Sequence, residues 1–297
     1  MNDRGHIPVL LKEVLEFLDT SRGGVYVDCT LGLAGHGRAI LESNPRASLI
    51  GLDVDETSLL EAGQNLAPFA KRVRLFHSDF RNLPDLDVDF SAVRGVLLDL
   101  GISSFQLDSP GRGFSFSQDG PLDMRMDFRN KTTALKIIER SSEARLAEIF
   151  RDFGELRQAR QLARAIVSRR KVRRIETTTE LCRMIEEVCR WRPQKGRIHP
   201  AAKAFQALRI EVNQELAGLS DFLKTVAERV TAGTRIVAIA FHSLEDRIVK
   251  HTFQDLAGEE GRSILRILTK KPVMASDEEV ARNSRSRSAK LRAAERI

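Results

Sequence analysis

The sequence predicts an α/β protein: a doubly wound sheet of parallel strands into which an α-helical domain is inserted. Three observations predict it. Four short β-rich runs, at 25–30, 49–53, 73–79 and 93–99, each carry an aspartate at or near the carboxyl end: Asp28, Asp53, Asp79 and Asp99. A glycine turn, Leu31-Gly32-Leu33-Ala34-Gly35-His36-Gly37, follows the first run and opens a helical stretch. After the fourth run the strand–helix alternation stops, and only the apolar run at 235–241 resumes it. In open α/β sheets the ligand crevice lies beyond the carboxyl ends of the strands, so the four carboxylates are expected to face one site.

Residues 9–18 space Leu10, Leu11, Val14, Leu15 and Leu18 at a helical period, with Pro8 near the helix start. Pro8 holds Ile7 extended, which puts His6 on an arm leading into that helix. Glycines in the 31–37 turn let a ligand approach the backbone, and the helix at 38–42 offers free N–H groups. Their order, GxxGxG, is not the GxGxxG of dinucleotide-binding folds, so the turn alone has little specificity. Residues 55–69 read as a helix with Leu59, Leu60, Ala62, Leu66 and Phe69 on one broad side. Asp53 follows Asp28 by 25 residues, the spacing of the acid that accepts a ribose hydroxyl in nucleotide folds. Phe80 either flanks an adenine ring or packs in the core.

Residues 101–129, rich in Gly, Pro, Ser and Phe, form a long irregular segment of the kind that serves a function or moves, and a lid is expected. Residues 132–191 read as helical, interrupted by Arg169-Arg170-Lys171-Val172-Arg173-Arg174, a solvent-facing loop or a set of phosphate contacts. Trp191 is read as a helix-packing anchor in preference to a stacking platform for a base. One long helix is expected from Pro200 to residue 230. His242, at the end of the run 235–241, faces the same crevice as the aspartates, while Ser243 and Asp246 have capping-box spacing. The last two strands are expected at 265–273 and 290–297, with a basic tail at 282–287 between them.

With 297 residues and 42% hydrophobic content, the chain suits one large globular domain or two modest ones. No apolar run is long enough to span a membrane and no signal leader is read, so a cytoplasmic protein is expected. Cys29, Cys182 and Cys189 form no CxxC pair, and the last two are expected to pack on one helix face and not to bind metal. The net charge of +7 is uneven: residues 140–210 hold 18 basic and 8 acidic residues, residues 262–297 hold 10 and 4, and the rest is net −9. An acidic sheet core flanked by basic segments suits a polyanionic partner.

Three functions compete. A nicotinamide dehydrogenase fits the Asp53 spacing but not the glycine order, and no proton-relay constellation is evident. A non-catalytic RNA-binding protein fits the charge but not the acid-tipped strands. A methyltransferase using S-adenosylmethionine fits both, since its cofactor is a nucleoside and its substrate can be a nucleic acid.

Longer blocks narrow the choice. They are His6-Ile7-Pro8-Val9-Leu10-Leu11, Asp99-Leu100-Gly101-Ile102-Ser103-Ser104 with Gln106-Leu107-Asp108, and Arg112-Gly113-Phe114-Ser115-Phe116. Further on stand Asp119-Gly120-Pro121-Leu122-Asp123-Met124-Arg125-Met126-Asp127, Phe205-Gln206-Ala207-Leu208-Arg209-Ile210 with Val212-Asn213, Phe241 through Arg247, and Ser288-Ala289-Lys290-Leu291-Arg292. On these blocks the sequence resembles the MraW/RsmH family of bacterial small-subunit ribosomal RNA cytosine-N4 methyltransferases, through nearly its whole length.

The resemblance implies a class I (Rossmann-like) S-adenosylmethionine-dependent methyltransferase sheet with an inserted α-helical domain. The expected pieces are 1–111 and 206–297 for the methyltransferase domain and 112–205 for the insertion. The implied cofactor, S-adenosylmethionine, falls to Ala34, Gly35, His36, Asp53, Phe80, Asp99 and Gln106. Candidate substrate contacts within the blocks are His6, Arg125, Asp127, Arg209, Asn213 and Ser243. The implied partner is small-subunit ribosomal RNA, within an assembled or nearly assembled subunit, and a homodimer is left open. Ala34 stands where the family usually has glycine, and Ser284 where it usually has proline. The implied chemistry is attack by the exocyclic cytosine nitrogen on a sulfonium methyl, with Asp99, or alternatively His242, accepting the proton of the developing NH⁺. The generic amine-methylase signature is absent, so the N4 position rests on the resemblance. Carbon-5 methylation would need a cysteine near the fourth or fifth strand, and none is there.

Overall fold

The computed structural model describes residues 8–194, 197–258 and 263–297, so His6 lies outside the described residues. The chain divides into two compact units: a sheet unit that ends at Gly101 and resumes at Leu216–Ile297, and a helical unit, Ile102–Glu215. The expected boundaries at 111/112 and 205/206 both fall inside the helical unit. Phe114, Phe205 and Leu208 are buried in one core there, and the helix carrying Phe205 runs on past it.

In chain order the sheet unit begins with α1 (Leu11–Leu18), β1 (Gly24–Asp28), α2 (Gly35–Ser43), β2 (Ala47–Asp53), α3 (Glu56–Asn65), β3 (Val73–His77) and β4 (Val93–Asp99). The helical unit supplies α4 (Ser104–Asp108), α5 (Ala134–Arg140), α6 (Glu143–Asp152), α7 (Ala159–Arg170), α8 (Thr178–Cys189) and α9 (Pro200–Asn213). The sheet unit then resumes with α10 (Leu219–Arg229), β5 (Arg235–Ala240), α11 (Ser243–Ala257), β6 (Leu265–Ile267), α12 (Asp277–Arg282) and β7 (Lys290–Arg296).

The strands lie in the order β3-β2-β1-β4-β5-β7-β6. The first five run parallel, and β7 is antiparallel to both of its neighbours. After β1 the chain steps outward to β2 and β3, then returns to place β4 on the other side of β1. That reversal is the topological switch point, where such sheets bind ligands. Successive residues of a strand face opposite ways, so parallel strands covered on both faces need apolar residues throughout. Tyr26, Leu49, Leu97 and Ile239 pack on one face with Val14 and Leu18 of α1 and Ile40 of α2. Val27, Ile50, Val96 and Ala238 pack on the other with Phe222 of α10 and Phe253 of α11.

Several expected elements end early, each for a local reason. The helix expected at 55–69 stops at Asn65, and Ala67–Arg72, with Pro68 in its first turn, is a 3-10 helix. The single helix expected at 200–230 is two, because Gln214 (φ 51°) and Gly218 (φ 70°) take left-handed conformations between α9 and α10. The strand expected at 265–273 is three residues long, and only Val273 rejoins the sheet, as a bridge to Leu291. The basic tail is partly folded: Ser284–Ser288 is a 3-10 turn with Ser286 buried. Among the described residues no helix is long and apolar enough to cross a membrane.

The helical unit has its own core, in which Phe150, Leu162, Ile166, Leu181, Ile185 and Leu208 are buried. Three of its helices, α5, α6 and α8, start on hydroxyl caps: Thr133, Ser142 and Thr177 each accept from a backbone N–H of the first turn, and Thr177 forms a capping box with Glu180.

Candidate active site

The site is built where β1, β2 and β4 end side by side. Asp28 closes β1 almost fully buried, and its Oδ1 accepts from the Thr30 N–H at 3.2 Å. The Thr30 hydroxyl in turn accepts from the backbone N–H of Asp99 at 2.6 Å, which ties the loop after β1 to the end of β4. Asp53 closes β2 with both oxygens engaged, Oδ2 by the Gly32 N–H at 2.7 Å and Oδ1 by the Asp55 N–H at 2.8 Å. The turn leading into α2 is left-handed at Gly32 (φ 53°) and at Ala34 (φ 66°). A non-glycine residue there costs on the order of 1 kcal/mol, and the Ala34 methyl, buried in the core, offsets part of it.

His36, in the first turn of α2, is buried, with Nε2 3.4 Å from Asp99 Oδ2. Neither ring nitrogen makes a hydrogen bond, and neither does the buried Asp99 Oδ1. Burial pushes the Asp28 carboxyl up to about 7; nearby Asp99 and Asp53 add to the rise, while His36 and the Thr30 N–H oppose it. Burial also pushes Asp53 up to about 6, against the N–H groups of Asp55 and Gly32 that favour its charge. For His36, burial disfavours the imidazolium, but Asp99, Asp28 and Glu279 together outweigh it and raise the pKa. The result is a compact cluster of one histidine and three carboxylates, with a buried, unpartnered oxygen on Asp99.

The fourth carboxylate is committed elsewhere. Asp79 accepts from Arg81 Nε at 2.7 Å, and Arg81 also donates to the Ala217 carbonyl. Phe80 packs edge-on against Phe222, with ring centroids 4.9 Å apart, and remains half-buried. At the start of α11 the cap is His242 and not Ser243: His242 Nδ1 accepts from the Glu245 N–H at 3.4 Å, and Glu245 Oε2 accepts from the Phe241 N–H at 3.0 Å. Asp246, expected to complete a capping box with Ser243, instead pairs with Arg292 at 2.6 Å and Lys290 at 3.4 Å on β7.

The remaining candidates belong to the helical unit. Gln106 is buried as the third residue of α4 and closes a capping box with Ser103. Arg125 makes a bidentate pair with Asp123 at 2.8 Å, Asp127 pairs with Arg129 at 2.7 Å, and Arg209 with Glu215 at 2.8 Å. Asn213 holds the loop before α5 against α9: its Oδ1 accepts from the Met126 N–H, and its Nδ2 donates to the Met124 and Arg209 carbonyls. Thr30, Glu245 and Glu279, which the pattern of strands and motifs does not single out, accept from the backbone N–H groups of Asp99, Phe241 and Leu10. Thr30, directly after an acid-tipped strand, carried a readable signal.

Cys182 lies beside Glu186 and His199, with three donor atoms within 4.8 Å of one another, and both it and Cys189 pack in the core of the helical unit. His199 Nδ1 accepts from the Ala201 N–H at 3.1 Å, which puts the ring proton on Nε2, 3.0 Å from Glu186. That tautomer leaves no lone pair on Nε2 for a metal.

A model of the MraW methylase family matches residues 3–297. The chain belongs to the MraW methylase family. It is 46% identical over 310 residues to the "Ribosomal RNA small subunit methyltransferase H" of Carboxydothermus hydrogenoformans, covering 98% of each chain. It is 45% identical over 292 residues to the protein of the same name from Trichodesmium erythraeum, covering 98% of this chain and 99% of that one. A solved Streptococcus mutans methyltransferase in complex with SAH is similar at a TM-score of 0.44 and 11% identity, over 98% of this chain and 100% of that one. As a member of the MraW family the chain is an S-adenosylmethionine-dependent methyltransferase, with the α/β sheet and inserted helical domain that its sequence implied.

Proposed function

We propose that this enzyme moves a methyl group from S-adenosylmethionine to the exocyclic N4 of a cytidine in small-subunit ribosomal RNA. The observation that carries this reading is the 46% identity to a ribosomal RNA small subunit methyltransferase along nearly the full length of both chains, sheet and insertion alike.

The site fits a cationic nucleoside. Asp53, held by two N–H groups at the end of β2, keeps a second lone pair on each carboxylate oxygen for ribose hydroxyls, beside the turn, left-handed at Gly32 and Ala34, that leads into α2. The Asp99 carboxylate, 23% exposed, supplies an acceptor at the end of β4, on the other side of β1. When bound, S-adenosylmethionine supplies an electrophilic sulfonium methyl.

The N4 amino group is a poor nucleophile because its lone pair is conjugated into the ring. Asp99 accepts a hydrogen bond from it and takes the proton that N4 sheds on methylation. His36 keeps the Asp99 carboxylate in place through their 3.4 Å contact. His242 suits the acceptor's role less well, because the Glu245 N–H occupies its Nδ1 lone pair. Arg125, Asp127, Arg209 and Asn213 shape the RNA-facing loops by pairing within the helical unit, and Ser243 and Gln106 stay as candidate contacts to substrate and cofactor.

The test is mass spectrometry of ribosomal RNA after hypomethylated small subunits, and separately naked RNA, are incubated with the enzyme and labelled cofactor. N4-methylcytidine is expected, and more of it on subunits. Asp99→Asn should lower kcat by about a hundredfold or more with cofactor binding retained by calorimetry, the scale of one lost transition-state contact. His242→Asn, which still caps α11, should stay within about threefold. The opposite ranking would assign the proton to His242. Light scattering of the purified enzyme separates monomer from homodimer.

A further inference from the structure

The loop that precedes α5 carries an aromatic ring that the site leaves unused. Phe128 is 53% exposed, the only phenylalanine, tyrosine or tryptophan among the described residues with more than half its surface open. Its backbone is fixed on both sides. Arg125 Nη1 donates to the carbonyls of Phe128 at 3.2 Å and Asn130 at 2.9 Å, and Asn130 Nδ2 donates to the Val212 carbonyl at 2.7 Å. The Asp127 carboxylate accepts from the Arg129 N–H at 2.8 Å. A ring held this firmly in solvent is preorganised at a standing hydrophobic cost.

The surroundings say what would cover it. The guanidinium of the buried Arg112 lies 4.3 Å from the ring centroid and that of Arg125 lies 5.3 Å away, and Arg129 and Lys131 follow on the same loop. The local carboxylates, Asp123 and Asp127, are paired with Arg125 and Arg129. An apolar protein partner would need a contiguous apolar patch, whereas the ring's sequence neighbours are charged or polar. With guanidinium groups over the ring, further cations along the loop and half of the residue still exposed, the open part of the ring matches a nucleobase with its phosphate. We infer that Phe128 is a stacking platform for an unpaired base of the RNA substrate.

This rests on the RNA reading above, and the test separates the two. Methylation of hypomethylated small subunits is measured for wild type, Phe128→Ala and Phe128→Trp. The alanine variant should raise KM about tenfold, from the loss of one base–aromatic stack, with kcat and cofactor affinity unchanged, and the tryptophan variant should restore KM. An alanine KM within twofold of wild type overturns the inference, as does equal damage from both substitutions, which would mark a merely structural ring. An inactive wild type would instead count against the RNA reading. In that case the emission of Phe128→Trp, titrated with single-stranded RNA, still decides: quenching beyond that of wild type supports the platform, and its absence removes it.

Discussion

At the residue scale, three strand-end carboxylates that look alike in sequence are made different by burial. Asp28 has its pKa pushed up to about 7, so the folded chain keeps a proton between roughly pH 4 and 7 that the unfolded chain has released. Stability therefore falls as pH rises through that window. Asp28→Asn keeps an acceptor for the Thr30 N–H and removes the charge. Its melting temperature should match wild type near pH 4 and exceed it above pH 7, by an amount equivalent to a few kcal/mol at most. Thermal melts at the two pH values check this; a gap of the same size at both would mean that ionisation is not its cause. His36 acts in the same direction: its raised pKa adds stability below its ordinary range that is lost as pH climbs through the raised value. The four acids are legible in the sequence because each ends an apolar run. That Asp79 belongs to Arg81 is not, since such a pairing depends on how Arg81 is placed beside Ala217, far away in the chain.

At the element scale, what sequence could and could not show follows from the range of the forces. The parallel strands are legible because burial on both faces leaves apolar runs at 49–53 and 93–99. The break between α9 and α10 is not, because Gln214 is an uncommon left-handed residue and the apolar spacing continues across it. Asn213, read as a substrate contact, sits at that break and bonds three backbone groups. Asn213→Ala should destabilise the helical unit by about 2–4 kcal/mol, the cost of leaving such groups unpaired, read as a lower urea midpoint. Gly113 (φ 70°) is a second strict position: a Cβ there would lie 2.0 Å from the Pro121 carbonyl oxygen, a backbone atom that cannot swing away. Gly113→Ala should cost at least as much, whereas Gly111→Ala, with nothing within 4 Å of the added carbon, should be nearly silent.

At the scale of the whole molecule, each unit has apolar cores of its own: one set of buried residues in the helical unit, and two flanking the sheet. The insertion is legible in sequence as an interruption of the strand pattern, but its limits are not, because the first and last residues of the helical unit are recruited by packing and not by periodicity. Trp191, the only tryptophan, lies in that unit and packs edge-on against His199, 4.9 Å between centroids. Its fluorescence should therefore report the helical unit alone, and its denaturation midpoint should differ from that of far-ultraviolet circular dichroism. Coincident curves would show a single cooperative transition. The basic balance of residues 140–210 further predicts that the KM for RNA rises steeply with salt while the affinity for cofactor barely changes.

The sheet's order has a consequence for how the enzyme is made. β4 pairs with β5, yet the whole helical unit, more than a hundred residues, is translated between them. At ordinary elongation rates the nascent β4 waits on the order of ten seconds for its neighbour. During that wait Val96, Leu97 and Leu98 line an unpaired edge of the kind that other chains can adopt. A bacterium that overproduces this enzyme should find its inclusion bodies seeded there, and slower growth at low temperature, which lengthens the wait, should call on chaperones more heavily.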